Sequence, residues 1–299
     1  MLRTLTHLAL GSFTALALIA CQNQAAEQKN EAQTNTVTPV SEAPLNLLKY
    51  DLIDVLSCLP NNNTLIAAHR GTSRAWDIPE NSLQGLNLLI EAGTLIAEID
   101  VAGLKSGEQI LYHDGVWDRK STGKGPLAST TWDTAETYLL KSYAGTLSSE
   151  RPPLLSTVLD LAKDKIFLEV DFKSSAKTDD VLRLIRERDM AGQVVLIAYT
   201  QERAKELQAL APEMLISAPG EDKGQGLNPK TTLLWMGRNI TSQMGKTDMA
   251  GYIGLVSKED NISEKAAQSV FLVSDWPTDY PAIIGEYDQQ AYATCLAEK

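Results

Sequence analysis

Two histidines and a set of spaced carboxylates carry the chemistry that this 299-residue sequence can do. The chain holds three histidines. His7 lies in an apolar leader, which leaves His69 and His113. Each stands at the end of a segment that reads as a strand, and each is followed by a charged residue: His69-Arg70 and His113-Asp114. Two imidazoles so placed suit proton transfer in both directions, one taking a proton and the other giving one. Between them comes Glu98-Ile99-Asp100. Residues two apart on a strand face the same side, so both carboxylates point one way and Ile99 the other. Two buried like charges repel unless a cation neutralises them. Oxygen ligands favour a hard ion, Ca²⁺ or Mg²⁺. Glu169-Val170-Asp171-Phe172-Lys173 repeats the pattern further along. There Asp171 is the expected third metal oxygen and Lys173 is expected to face a phosphate. Glu169 lies on the same face and is the other candidate for the third oxygen.

The elements that must position these residues alternate in kind. Strands are predicted over 64–68, 95–101, 109–113, 166–172 and 194–199, with weaker candidates at 214–217, 232–236, 252–256 and 270–273. Helices are predicted from Asn81 or Ser82 to a C-cap at Gly93, and over 154–162, 181–188, 202–210 and 263–268. An amphipathic stretch, 45–56, opens the mature domain. Alternation of this kind argues for a parallel α/β fold, and the count suits an eight-stranded (β/α)8 TIM-type barrel. In such a barrel, catalytic groups gather at the C-terminal ends of the strands. Residues 115–150 are polar and glycine-bearing and read as an insertion with little core of its own.

The first twenty residues read as a secretory signal: Arg3, then an apolar run from Leu8 to Ala20 that is too short to span a membrane. It ends in Leu18-Ile19-Ala20-Cys21, which resembles the lipobox of bacterial lipoproteins. That resemblance implies lipidation at Cys21 and, with Gln22 following, the periplasmic face of a Gram-negative outer membrane. Residues 21–44 read as a flexible tether, which assigns 45–299 to the folded domain. Cys58 and Cys295 remain, an even pair in an oxidising compartment. The chain ends of a closed barrel lie close together, so a Cys58–Cys295 disulfide is expected over two free thiols. A net charge of −11 argues against a nucleic-acid partner, because counterion release needs a basic surface. It does not exclude an anionic substrate, since a bound divalent cation can reverse the local field.

Taken in order, Ala68-His69-Arg70-Gly71, Pro79-Glu80-Asn81-Ser82, Glu98-Ile99-Asp100-Val101 and His113-Asp114 resemble the motifs of the glycerophosphodiester phosphodiesterase family. Asp118 to Gly125 is similar to the segment after that family's second histidine. Leu168 to Lys173 is similar to the strand with its third acid and lysine, and Ser274-Asp275-Trp276-Pro277 to a motif near its last strand. The resemblance runs from about 64 to 285 and weakens beyond 173. It implies a (β/α)8 barrel with a small insertion after the second active-site histidine. It also implies His69 and His113 as the acid–base pair, and Glu98, Asp100 and Asp171 as ligands of a divalent cation. Arg70, Lys173 and Glu80 would belong to substrate binding, and the substrate would be a small glycerophosphodiester. Two departures stand out. Position 171 is Asp where the family usually has Glu, and Thr72 to Ile78 is longer than the usual link, which places Arg74 and Trp76 near the substrate mouth. A lysophospholipid diesterase and a non-catalytic surface lipoprotein on a degenerate barrel are the competing readings. Pro79-Glu80-Asn81 and the segment after His113 argue against an inositol phosphodiester.

Overall fold

A computed structural model describes residues 45–240 and 251–299. The expected signal segment, the expected lipidation site at Cys21 and the expected tether lie outside the described residues. Eight parallel strands close on themselves: β1 (Thr64–Ala68), β2 (Ile96–Gly103), β4 (Phe167–Phe172), β5 (Val194–Ile197), β6 (Leu215–Pro219), β7 (Thr232–Gly237), β8 (Tyr252–Val256) and β9 (Phe271–Ser274). β1 closes the ring, with Ala67 beside Ile96 of β2 and Leu65 beside Phe271 of β9. This is the expected (β/α)8 barrel.

One predicted strand has a different place. β3 (Gln109–Leu111) pairs antiparallel with β2, Val101 opposite Leu111, and is not a barrel stave. The reason is the short link from Leu104 to Glu108, in which the Leu104 N–H donates to the Glu108 carbonyl and the Gly107 N–H to the Leu104 carbonyl. Five residues can turn a hairpin, but a parallel crossover needs a dozen or more. His113 therefore follows a hairpin strand and not a barrel strand as the spacing suggested.

Helices α1 (Leu52–Cys58), α2 (Leu83–Glu91), α3 (Trp132–Ala135), α4 (Leu155–Ala162), α5 (Thr178–Arg186), α6 (Gln201–Leu210), α7 (Ile262–Ala266) and α8 (Gln289–Ala297) complete the described elements, with β10 (Ile283–Ile284) antiparallel to β1. α2 begins where the sequence reading placed it. The Ser82 side chain accepts the Gly85 N–H, and Gly93, at φ +75°, ends the turn beyond the helix. α8 and β10 were not foreseen. α8 buries only Tyr292 and Leu296, too few apolar residues to make a helical stripe.

Alternation along the strands divides the core. Ala97, Ile99, Val101, Leu168 and Val170 pack outward with α2, α4 and α5. Leu65, Ile96, Phe167, Val195, Leu215, Leu233, Ile253 and Phe271 fill the inside of the barrel, with Leu52, Val55 and Leu56 of α1 and Tyr292 and Leu296 of α8 in the same cluster. Each inward position one step further along β2 and β4 is a carboxylate. The barrel thus has an apolar floor and an acidic upper layer.

Residues 112–153 correct a second expectation. They share a core of their own, in which Trp117 is fully buried among Tyr112, Leu127, Ala135 and Leu140 beside Ala102 and Ile110 of the hairpin. Trp117 also stacks edge-on with Tyr138. The polar sequence hid this because the core is small, gathered from scattered residues around two buried aromatic rings, Tyr112 and Trp117. Among the described residues no helix is long and apolar enough to cross a membrane.

Cys58 at the end of α1 and Cys295 on α8 form a disulfide, Cα atoms 5.8 Å apart and 237 residues apart in sequence. Closing so long a loop restricts the unfolded chain, so reduction should cost about 2–4 kcal/mol of stability. Thermal melts with and without reductant, paired with thiol alkylation and mass measurement, will check this. Unchanged melting would show that the floor is held by packing alone.

Candidate active site

The site starts from the β1–α2 turn. His69, Arg70 and Gly71 follow β1 directly, and Arg70 takes a left-handed conformation, φ 54°. That turn aims the Arg70 N–H at Glu98, whose Oε2 accepts it at 2.7 Å. Gly85 of α2 packs against the same turn; a Cβ there would stand 2.6 Å from the Gly71 carbonyl. Asn81 locks the neighbouring acid, its amide donating to Asp100 Oδ2 at 2.6 Å while its Oδ1 accepts the Asp100 N–H at 2.9 Å.

β2 and β4 pair in a register that sets Glu98 beside Glu169 and Asp100 beside Asp171. All four are buried and line one cavity of about 280 Å³. Glu98, Asp100 and Asp171 each bring an oxygen into a cluster whose atoms lie within 4.8 Å of one another. Two oxygens on one cation at about 2.0–2.6 Å each can stand no further apart than roughly this, so the spacing fits a single hard divalent ion. The donor set fits as well, being all carboxylate, and Asp171 Oδ1 is buried without a hydrogen-bond partner among the described residues. Glu169 is not part of that cluster. Its oxygens lie buried, with no hydrogen-bond partner among the described residues. Burial first, and then the charge of Asp171, push its carboxyl up to about 8. Burial and the charge of Asp100 likewise hold Glu98 well above the usual carboxylate range.

Lys173 reaches into this cluster, its Nζ 2.6 Å from both Asp100 Oδ1 and Asp171 Oδ2. Burial works against its charge, but Asp100 and Asp171 outweigh that and raise its pKa. The Tyr199 hydroxyl donates to the same Asp171 oxygen at 2.8 Å.

Both histidines are held by carboxylates from outside the cluster. His69 Nδ1 lies 2.7 Å from Asp275 Oδ1, with its Nε2 4.0 Å from Glu98 Oε2. His113 Nδ1 lies 2.7 Å from Asp114 Oδ1, and its Nε2 is 2.8 Å from Arg70 Nη2. A guanidinium can only donate, so His113 Nε2 accepts and the ring proton sits on Nδ1, facing Asp114. Burial opposes the charge of Asp114, but hydrogen bonds from Arg119 and His113 prevail and hold it at about 2. Asp275 is lowered too, its bond with His69 and the nearby Arg74 outweighing burial. Glu80 accepts from Arg70 at 3.2 Å and from Arg119 at 3.0 Å, so it ties the two arginines together.

The structure thus gathers His69, His113, Arg70, Glu80, Glu98, Asp100, Asp171 and Lys173 at one end of the barrel. Sequence reasoning gave no role to Asp114, Asp275, Asn81 or Tyr199. Asp114 and Asp275 were visible as neighbours of matched motifs, but a pairing 206 residues apart, as for His69 and Asp275, leaves no local trace. The 72–78 segment does not line that cavity, but Thr72, Ser73 and Arg74 line a smaller one beside it, shared with His69, Arg70, Glu80 and Asp275, as its expected place near the substrate mouth requires. Arg74 pairs with Asp275 at 2.8 Å and stacks over Tyr143 of the insertion, while Trp76 packs half-buried against the outer core. The far wall of the cavity is apolar, formed by Ile197, Trp235, Leu255 and Val273.

The raised carboxyls give a pH dependence with a definite sign. Folded Glu98 and Glu169 keep protons that the unfolded chain releases above about pH 4.3. Their contribution is complete below that pH and is lost as pH rises towards the Glu169 value of about 8. In EDTA the thermal midpoint should therefore fall between about pH 5 and about pH 8, and fall less in Glu169→Gln. Parallel profiles for the two proteins would mean that Glu169 is ionised in the folded chain.

A family model described as the glycerophosphoryl diester phosphodiesterase family matches residues 69–266, about two thirds of the chain. A glycerophosphodiester phosphodiesterase of Caldanaerobacter subterraneus subsp. tengcongensis is 26% identical over 160 residues, 51% of this chain and 65% of that protein. The match therefore spans just under two thirds of that relative's length. A glycerophosphoryl diester phosphodiesterase from Parabacteroides distasonis shares the fold, with a TM-score of 0.63 at 19% identity over 83% of this chain and 92% of its own. So does an Oleispira antarctica phosphodiesterase solved in complex with the product sn-glycerol-3-phosphate, with a TM-score of 0.57 at 18% identity over 75% and 96%. On the extent of the family match, this chain belongs to the glycerophosphoryl diester phosphodiesterase family.

Proposed function

We propose that the protein hydrolyses glycerophosphodiesters to glycerol 3-phosphate and an alcohol, with a divalent cation on Glu98, Asp100 and Asp171 and with His69 and His113 as the acid–base pair. The observation that carries this reading is the placement of two carboxylate-backed imidazoles beside one buried acidic cluster. Family membership and the product bound to the Oleispira relative support the substrate class. Bound Ca²⁺ or Mg²⁺ would act as a Lewis acid on a non-bridging phosphate oxygen. The chain's own groups do the rest. Arg70 offers fixed positive charge where negative charge grows on the phosphate, and substrate entry would release Lys173 to share that work. His113, whose Nε2 already accepts a hydrogen bond, is arranged to take a proton from the nucleophile. His69 is arranged to give one to the departing alkoxide. Asp114 keeps the ring proton of His113 on Nδ1 and so leaves Nε2 able to accept, while Asp275 offers a counter-charge to the doubly protonated His69 ring that giving a proton from Nε2 requires.

The apolar wall supports a second reading, a diester with a hydrocarbon chain such as a lysophospholipid. Glycerophosphocholine, glycerophosphoethanolamine and lysophosphatidylcholine, assayed side by side, separate the two. His69→Ala and His113→Ala should each lower kcat by about 10²–10⁴, and EDTA should abolish turnover until Ca²⁺ or Mg²⁺ is restored. Turnover near wild type in either variant would sink the mechanism. Absence of hydrolysis on every diester would leave the non-catalytic lipoprotein reading.

We also propose that the protein is exported and anchored through lipidated Cys21 at the periplasmic face of an outer membrane, with the Leu18–Cys21 motif as support. Cys21→Ser should move it from the detergent to the aqueous phase in a Triton X-114 partition. Detergent partition that survives the substitution would refute the anchor.

A further inference from the structure

We propose that Tyr199 is a positioning residue for the cation site: with Lys173 it holds one oxygen of Asp171 so that the other faces Glu98 and Asp100. This rests on the divalent-cation reading above. Asp171 has one methylene fewer than the Glu usual in this family, so it brings its oxygen into the cluster with less reach to spare. Its two oxygens have different surroundings. Oδ2 accepts from the Tyr199 hydroxyl at 2.8 Å and lies 2.6 Å from Lys173 Nζ. Oδ1 is buried, has no hydrogen-bond partner among the described residues, and belongs to a residue of the 4.8 Å cluster.

Lys173 alone holds the carboxylate poorly. Its ammonium is shared with Asp100 Oδ1 at 2.6 Å, and it rides on a flexible four-carbon stem. Tyr199 reaches Asp171 from another stave. It stands two residues beyond β5, which pairs with β4 through Val170 and Leu196. Its hydroxyl is fixed by only two side-chain torsions. The rest of the residue is poorly suited to core packing, since Tyr199 is 67% exposed while it lines the cavity that holds His69. An exposed ring that turns its hydroxyl into the cluster fits a hold on Asp171 better than a packing role. Groups that orient a metal ligand from outside the coordination sphere commonly govern affinity.

The test is calorimetric titration of the EDTA-stripped full chain with Ca²⁺ alone. Tyr199→Phe should bind Ca²⁺ about 10–100-fold more weakly than wild type. Its thermal midpoint in EDTA should fall only slightly, because the ring is kept and only the hydroxyl's bond to Asp171 is lost. The same substitution made in an Asp171→Glu chain should cost less than about threefold, since the longer carboxylate reaches the cluster without the hydroxyl. Equal affinity of wild type and Tyr199→Phe overturns the proposal. An equal loss in both backgrounds also overturns it, for that is general weakening and not a hold on Asp171. A wild-type chain that binds neither Ca²⁺ nor Mg²⁺ refutes the cation reading itself, and this inference with it.

Discussion

Across one parallel ladder Glu98 faces Glu169 and Asp100 faces Asp171. Four carboxylates in two stacked rungs, all out of water, would drive the strands apart if each carried its charge unopposed. The structure answers in three ways. Lys173 inserts its ammonium between Asp100 and Asp171. Asn81 and the Arg70 N–H supply donors to Asp100 and Glu98. Glu169, deeper and without such donors, is pushed towards its neutral form.

The polar groups around the cluster follow from that charge. Arg70 touches several parts of it: its backbone donates to Glu98, its guanidinium to Glu80 and to His113. The left-handed turn that makes this reach possible comes directly after β1, where the strand end leaves the backbone free to bend. Each histidine then needs its own acid to set its tautomer. Asp114 comes from the next residue, and Asp275 from just beyond the last barrel strand. A ring of alternating charge therefore surrounds the acids, and its members belong to widely separated segments.

The parts of this legible in the sequence were those with a local signature. Glu98 and Asp100 declared their shared face by a spacing of two, and Ile99 indeed packs with the outer core. β1 and α2 were marked by an unbroken apolar run and by a Ser82 cap followed by helical spacing. Cys58 and Cys295 could be paired because barrel closure brings chain ends together. Local pattern fell short where the energetics were long-range. The hairpin pairing of β3 depends on a short turn, 104–108, whose consequence is topological. The insertion core rests on a few aromatic residues scattered through polar sequence. The Tyr199 contact joins neighbouring staves and has no counterpart in the motif around either residue.

The hairpin has a consequence for how this fold tolerates change. His69 belongs to the barrel wall, but His113 hangs from β3 and leads straight into the insertion core around Trp117. The two members of the proposed proton-transfer pair are therefore mounted on differently built supports. Surface insertions on barrels are ordinarily exchangeable parts, open to shortening or replacement between relatives. Here the segment cannot be traded freely, because it carries His113 and Asp114 and ties Arg119 to Glu80 on the barrel side. What looks like an accessory loop is a second wall of the reaction chamber, and any graft that alters it resets the distance between the two imidazoles.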